Sequence, residues 1–448
     1  MNARCWFEAF FGRIPEPQAG LALGCSSHHR ERLVANDDVL RSHLAISGNV
    51  GPGITVLLES MLQQQTAQGR GWVYFDTFND TEMLARMAAY AREHGREDEF
   101  YVIDLCDPER SHTYAALSSG EPEELAYRAT LTLPPTGDNP GADFYRQQAH
   151  YVLTALLAAV EASGRVIGMR DLAVLMTRLG DERVISHLLD GIPTEHPARG
   201  QLLLMLDNYR RGDGSFDEAK LKGSLGGIGG RLFMLGAGPF ARVVDAPQPE
   251  VDFADILTQN KMCYVKMSLS DRDHTQQVIA RLLTHDFFTA LDARARLPRR
   301  VRTPFLALLN HFGAYGQIRA RWFERARAMN VCMAPVLYGG WEALCKDEDL
   351  ADLIAGNTFS KVYFQQPNVA SITAAEPGPE AGNLESLRIG EFVYREGSST
   401  QRGRVVPPDD IFDTRNSAYA SAFRPRETWP LPVRKRFELD KIPDEVTS

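Results

Sequence analysis

The stretch that most constrains the fold is residues 43–105, where short apolar runs alternate with helical patterns. HLAIS (43–47) reads as a strand, and the glycine-rich turn Gly48-Asn49-Val50-Gly51-Pro52-Gly53 follows it. Residues 54–68 place Ile54, Leu57, Leu58, Met61 and Leu62 at helical spacing. GWVYFDT (71–77) is a second strand, residues 80–95 form a second helix capped by Asp80 and stopped by Gly95, and FYVIDL (100–105) is a third strand. This alternation predicts an α/β fold with a mainly parallel sheet and helices on both faces.

From 120 to 225 the patterns are helical, with no convincing strand between them. Strands return at 262–268, 304–309, 331–337 and 361–365, with helices at 275–295 and 319–328. The expected partition is a first core part at 1–118, an all-α insertion at 119–225, a second core part at 226–397, and a Pro-rich extended tail at 398–448. That tail contains Pro407-Pro408 and the basic cluster Arg434-Lys435-Arg436. GGIGG (226–230) reads as a flexible connector, and Gly223-Ser224 as part of the hinge that closes the insertion.

Charge and cysteines narrow the function. A formal charge of −9 argues against a broad basic face, and ARARLPRRVR (293–302) is the most basic patch, read as a surface connector. The cysteines at 5, 25, 106, 263, 332 and 345 include no C-x-x-C pair, which fits a reducing compartment. No apolar run reaches the roughly 18–20 residues of a membrane span, and Glu8 interrupts the short apolar stretch near the N-terminus. A cytoplasmic protein is expected. His28-His29, near Cys25 and Glu31, reads as a solvated loop, and no metal site is expected.

A strand, a glycine turn and a helix form the setting of the phosphate-binding loop G-x-x-x-x-G-K-[ST]. Its backbone N–H groups cradle phosphate, its Lys reaches the terminal phosphates and its hydroxyl holds Mg²⁺. Here Gly48, Gly51, Gly53 and Thr55 fill the expected positions, but Ile54 stands where the Lys belongs. Pro52 also removes one backbone donor.

From about residue 20 to about 397 the chain resembles the motor core of the TraD/TraG-type coupling proteins of conjugation and type IV secretion, within the FtsK/HerA-like class of P-loop ATPases. The family's H-L-x-I-x-G lead-in is matched by His43–Gly48. Its D-x-K-G-D is matched at Asp76 and Asp80, with Phe78 and Asn79 between them. Residues 95–114, 141–157, 225–232 and 251–268 resemble further family segments in the same order. The family's L-D-E-F-G-A-Y reads Leu309-Asn310-His311-Phe312-Gly313-Ala314-Tyr315 here, so both acids are replaced. Tyr338 stands where the family carries a phosphate-sensing Gln, whereas Gly356-Asn357-Thr358 is intact. In hexameric relatives an Arg near Arg319, Arg321, Arg325 and Arg327 faces a neighbour's nucleotide; here a solvated or interface role is expected.

The resemblance implies a RecA-like core with an all-α insertion. The replaced Lys, Asp, Glu and Gln imply a degenerate nucleotide site at Gly48, Gly51, Gly53, Ile54 and Thr55, a degenerate Walker B pair at Asn310 and His311, and a degenerate sensor at Tyr338. No catalytic residue or cofactor is expected, with ATP and Mg²⁺ bound weakly at most. The implied role is a non-hydrolysing component of a secretion apparatus that contacts an active coupling ATPase or cargo, in a ring or hetero-oligomer, and reaches the inner membrane only through partners. DNA is a weaker candidate ligand. The alternative is a divergent ATPase that translocates DNA or protein.

Overall fold

The computed structural model describes residues 20–26, 31–134, 139–269, 274–315, 319–339, 348–366, 382–408 and 434–439. The chain divides into two compact units. The core unit takes Met1–Cys106, Phe253–Ser270 and Ala290–Arg424, and the helical unit takes Asp107–Asp252, Asp271–Thr289 and Pro425–Ser448.

The core unit holds one sheet of eleven strands. They are β1 (Gly20–Ser26), β2 (Arg32–Asn36), β3 (Leu44–Gly48), β4 (Trp72–Asp76), β5 (Phe100–Asp104), β6 (Met262–Lys266), β7 (Phe305–Asn310), β8 (Val331–Tyr338), β9 (Ser360–Tyr363), β10 (Glu391–Glu396) and β11 (Ser399–Arg404). The spatial order is β2-β1-β11-β10-β9-β3-β8-β7-β4-β6-β5. From β9 to β5 every pairing is parallel, and from β2 to β10 every pairing is antiparallel. β3, β4, β5, β6 and β7 are buried along their whole length, as a sheet covered on both faces requires. Helix α1 (Ile54–Ala67) follows β3 and helix α2 (Thr81–Glu93) follows β4. Asp80 caps α2 by accepting from the Met83 N–H, and Gly95 supplies the left-handed residue beyond its end.

The helical unit carries α3 (Pro122–Thr130), α4 (Pro140–Ala162), α5 (Met169–Thr177), α6 (Glu182–Asp190), α7 (Pro197–Asp207), α8 (Glu218–Ala237) and α9 (His274–Ala290). Among its described residues, Arg128 and Asp286 form an ion pair at 2.7 Å with both partners buried, and the Tyr114 hydroxyl donates to Asp286 at 2.6 Å. Burial raises the Asp286 carboxyl to about 6, with Arg128 pulling it back.

Several expectations need correction. Gly223-Ser224 and GGIGG are not connectors; they lie inside α8, where Leu221, Leu225, Ile228, Leu232 and Leu235 form a buried stripe at helical spacing. Burial of that stripe outweighs the roughly 1 kcal/mol that each interior glycine costs a helix. Residues 20–26 and 32–36, to which no element was assigned from the sequence, are paired strands. Ser399–Arg404, placed in the tail by its proline content, is a strand between β1 and β10. Arg294, read as part of a surface patch, is fully buried; it donates to the Thr303 carbonyl at 2.7 Å and lies over the Phe305 ring. His28 and His29 lie outside the described residues, as do Lys346 and Asp347 of the acidic run 346–349, which reads from the sequence as a solvated helix start.

Candidate functional site

The parallel strands β3, β8, β7 and β4 lie side by side. Ligands of open α/β sheets bind at the carboxyl ends of such strands. Gly48, Asp76, Asn310 and Tyr338 fall there, whereas Gly356-Asn357-Thr358 precedes Ser360 at the opposite, amino end of β9. β3 ends at Gly48, β7 at Asn310, β8 at Tyr338 and β4 at Asp76.

The glycine turn is packed against its own chain. A side chain at Gly48 would meet the Phe364 Cβ at 2.6 Å, and one at Gly53 would come within 3.2 Å of the Gly390 Cα. The Asn49 N–H donates to the Gln365 carbonyl at 2.9 Å, and the Gly390 N–H donates to the Pro52 carbonyl at 2.8 Å. The Gln366 amide donates to the Ser47 hydroxyl at 2.9 Å. Gly51 and Gly53 hold φ values of 102° and 113°, a left-handed backbone that favours glycine. Ile54 does not project an apolar tip into a phosphate cradle. It is 2% exposed and belongs to the hydrophobic core.

The opposing groups are rings. Phe78, His311 and Tyr338 pack mutually, with centroids 4.7 Å (Phe78–Tyr338), 4.8 Å (Phe78–His311) and 5.1 Å (His311–Tyr338) apart. His311 sits at φ 48°, and its Nδ1 hydrogen-bonds the Thr77 hydroxyl at 2.6 Å. Burial lowers its pKa, which favours neutral imidazole. Burial raises the Tyr338 phenol, whose hydroxyl is buried with no hydrogen-bond partner among the described residues.

Asn310 and Asp76 turn inward. The Asn310 amide donates to the Tyr74 hydroxyl at 2.7 Å, and the side chain is fully buried. Asp76 accepts from the Phe78 N–H and Asp80 N–H, both at 2.8 Å, and from the Tyr264 hydroxyl at 3.0 Å. Burial raises its carboxyl to about 6 despite those three donors. The neighbouring strand ends pair Lys266 with Asp104 at 3.1 Å, both buried. Among the described residues, no group of three His, Cys, Asp or Glu side chains is arranged to hold a metal ion. Ile54, Asn310, His311 and Tyr338 present neither a cation for phosphate nor a carboxylate for Mg²⁺, and Asp76 is buried with its oxygens taken up by three donors.

No protein-family model matches the chain. A type 4 coupling protein, DotL of Legionella pneumophila, is 22% identical to it over 445 residues, an alignment that covers 87% of this chain and 54% of DotL. The chain thus spans about half the length of that relative. Among solved structures, the plasmid coupling protein TrwB in complex with a non-hydrolysable GTP analogue superposes with a TM-score of 0.59 at 13% identity, covering 92% of this chain and 94% of TrwB. TrwB in complex with ADP and Mg²⁺ gives 0.58 at 13%, covering 90% and 93%. The chain has the fold of a coupling protein. VirB4 of Thermoanaerobacter pseudethanolicus shares it less closely, with a TM-score of 0.52 at 13% identity over 87% and 97% of the two chains.

Within that fold Gly48, Asn310 and Tyr338 stand at neighbouring strand ends, and the residues that support them were not read from the sequence. Thr77 and the backing residues Phe364 and Gly390 carry no motif signal. Asn79 did carry one. It occupies the glycine position of D-x-K-G-D and adopts φ 59°, a conformation that Asn tolerates better than most residues. The four arginines behind β7 also resolve. Arg319, Arg321 and Arg327 are exposed, and Arg325 pairs with Asp292. No helix among the described residues is long and apolar enough to cross a membrane.

Proposed function

We propose that this chain is a non-hydrolysing, coupling-protein-like component of a conjugative or type IV secretion apparatus, acting through protein–protein contacts with an active ATPase or with cargo. The observation that carries this reading is the ring cluster Phe78–His311–Tyr338 at the strand ends, with Ile54 buried in the core beside it. Phosphoryl transfer depends on positioned cations, a metal and a water-orienting group. Losing a single such group typically costs on the order of 10²–10³ in rate. Here the positions that would supply them hold apolar, amide or aromatic side chains. The helical unit is the proposed contact surface. Phe233 and Met234 are 45% and 71% exposed on α8, and Phe144 and Tyr145 are more than half exposed on α4.

A thermal-shift titration with Mg²⁺–ATP tests the state of the site. A ligand that binds only the folded form stabilises it by RT ln(1 + [L]/Kd), about 2.7 kcal/mol at a hundredfold excess over Kd. The expected outcome is an unchanged melting temperature up to millimolar nucleotide. A saturable, Mg²⁺-dependent rise that disappears in Thr55→Ala would contradict the proposal.

A further inference from the structure

The segment 434–439 belongs to the helical unit, where it forms a short parallel ladder with Arg165–Val166. Three kinds of contact hold it. The Phe437 N–H donates to the Val166 carbonyl at 2.7 Å. The Arg436 guanidinium reaches Asp171 at 3.1 Å, the Asp245 carboxylate at 3.3 Å and the Asp245 carbonyl at 3.2 Å. Phe437 and Leu439 are 1% and 3% exposed, and Arg165 lies over the Phe437 ring at 5.6 Å. Gly168 makes room for the guanidinium, because a Cβ there would collide with Arg436 Nη2.

Backbone pairing for affinity and side-chain pockets for selectivity are the logic of β-augmentation by a peptide. The groove is also chemically demanding. Asp245 caps the start of α5 through the Met169 N–H at 2.8 Å, and it is almost fully buried. An empty groove leaves that carboxylate and Asp171 without their cation, so the groove requires an occupant with a guanidinium followed by an aromatic and, two residues on, an aliphatic. The sequence that meets this requirement is Arg436-Phe437-Glu438-Leu439, and every copy of the chain carries it.

We infer that this groove is a peptide-docking site whose occupant is exchangeable, and that a second copy of the chain supplies the same segment in trans. The stretch 409–433 that precedes the segment can span at most about 85 Å fully extended, enough to reach a neighbouring molecule. Tethering gives the chain's own segment an effective concentration on the order of millimolar. Separate copies at micromolar concentration therefore keep the segment in cis, and exchange occurs where copies are held together.

A complementing pair of full-length variants removes that competition. Arg436→Ala/Phe437→Ala keeps the groove and disables the segment, whereas Gly168→Ala blocks the groove and keeps the segment. Sedimentation of the mixture should show a heterodimer that neither variant forms alone. In fluorescence anisotropy, a labelled peptide of residues 433–440 should bind the Arg436→Ala/Phe437→Ala chain at least tenfold more tightly than the wild type. A folded double variant, checked by circular dichroism, that neither binds the peptide nor pairs with Gly168→Ala overturns the inference. Equal peptide affinity for wild type and variant overturns it as well. Should the double variant not fold, a protease site placed before Arg434 and cleaved after folding gives the second readout. Exchange of the cleaved fragment for labelled peptide supports the inference, and a fragment that never exchanges refutes it.

Discussion

Two side chains at the strand ends, Ile54 and Asp76, are packed into the interior. Ile54 stands one residue after the glycine that opens α1, yet its side chain packs with the sheet. Restoring the motif there puts a charge into an apolar environment. Ile54→Lys is expected to yield no phosphate release, because Asn310 and His311 still provide no acid, and to lower stability by at least about 2 kcal/mol through lost burial and a desolvated ammonium. Denaturant melts alongside an activity assay check both parts. Asp76 makes a pH prediction. Unfolded, it ionises near 3.8; folded, burial lets it keep its proton to about 6. Between those values the folded state binds the extra proton, so raising the pH through the window removes stability, by up to about 3 kcal/mol, and the loss is complete above it. Asp76→Asn lacks this loss. Its destabilisation relative to wild type should be larger at pH 4 than at pH 7, and a pH-independent difference would show that Asp76 is not protonated in the fold.

Elements differ in how far the sequence announces them. The parallel strands and α1 and α2 are written in apolar runs and caps, and the structure places them within a residue or two of the expected ends. β1, β2 and β11 are not legible in this way. β1 and β11 are glycine-broken and β2 has only five residues, and their pairing joins distant stretches such as Cys25 with Arg404. Gly24 shows the reason, since a Cβ there would lie 2.2 Å from the Arg404 carbonyl oxygen. That glycine marks close strand approach, which a local reading takes for a turn. Helix α8 misleads in the opposite direction, because its glycines suggest a hinge while its leucine stripe folds it. The two kinds of glycine separate experimentally. Gly227 faces open space, so Gly227→Ala should raise stability by about 0.5–1 kcal/mol. A Cβ at Gly236 would sit 2.3 Å from the Arg170 backbone nitrogen, so Gly236→Ala should destabilise. Thermal melts that moved in the same direction for both would contradict this packing of α8.

For the whole molecule, the proposed function keeps a coupling-protein fold and gives up its chemistry. The strand ends still converge as a nucleotide site requires, and the positions of that convergence are readable from motif spacing alone. What fills them is set by tertiary neighbours: Phe364 and Gly390 behind the loop, Thr77 beneath His311, Tyr74 against Asn310. The most direct test is phosphate release by purified protein at saturating Mg²⁺–ATP, with and without single-stranded DNA, beside Thr55→Ala. The account predicts that wild type and Thr55→Ala are indistinguishable from buffer under every condition. Turnover that persists through further purification and is abolished by Thr55→Ala would contradict it.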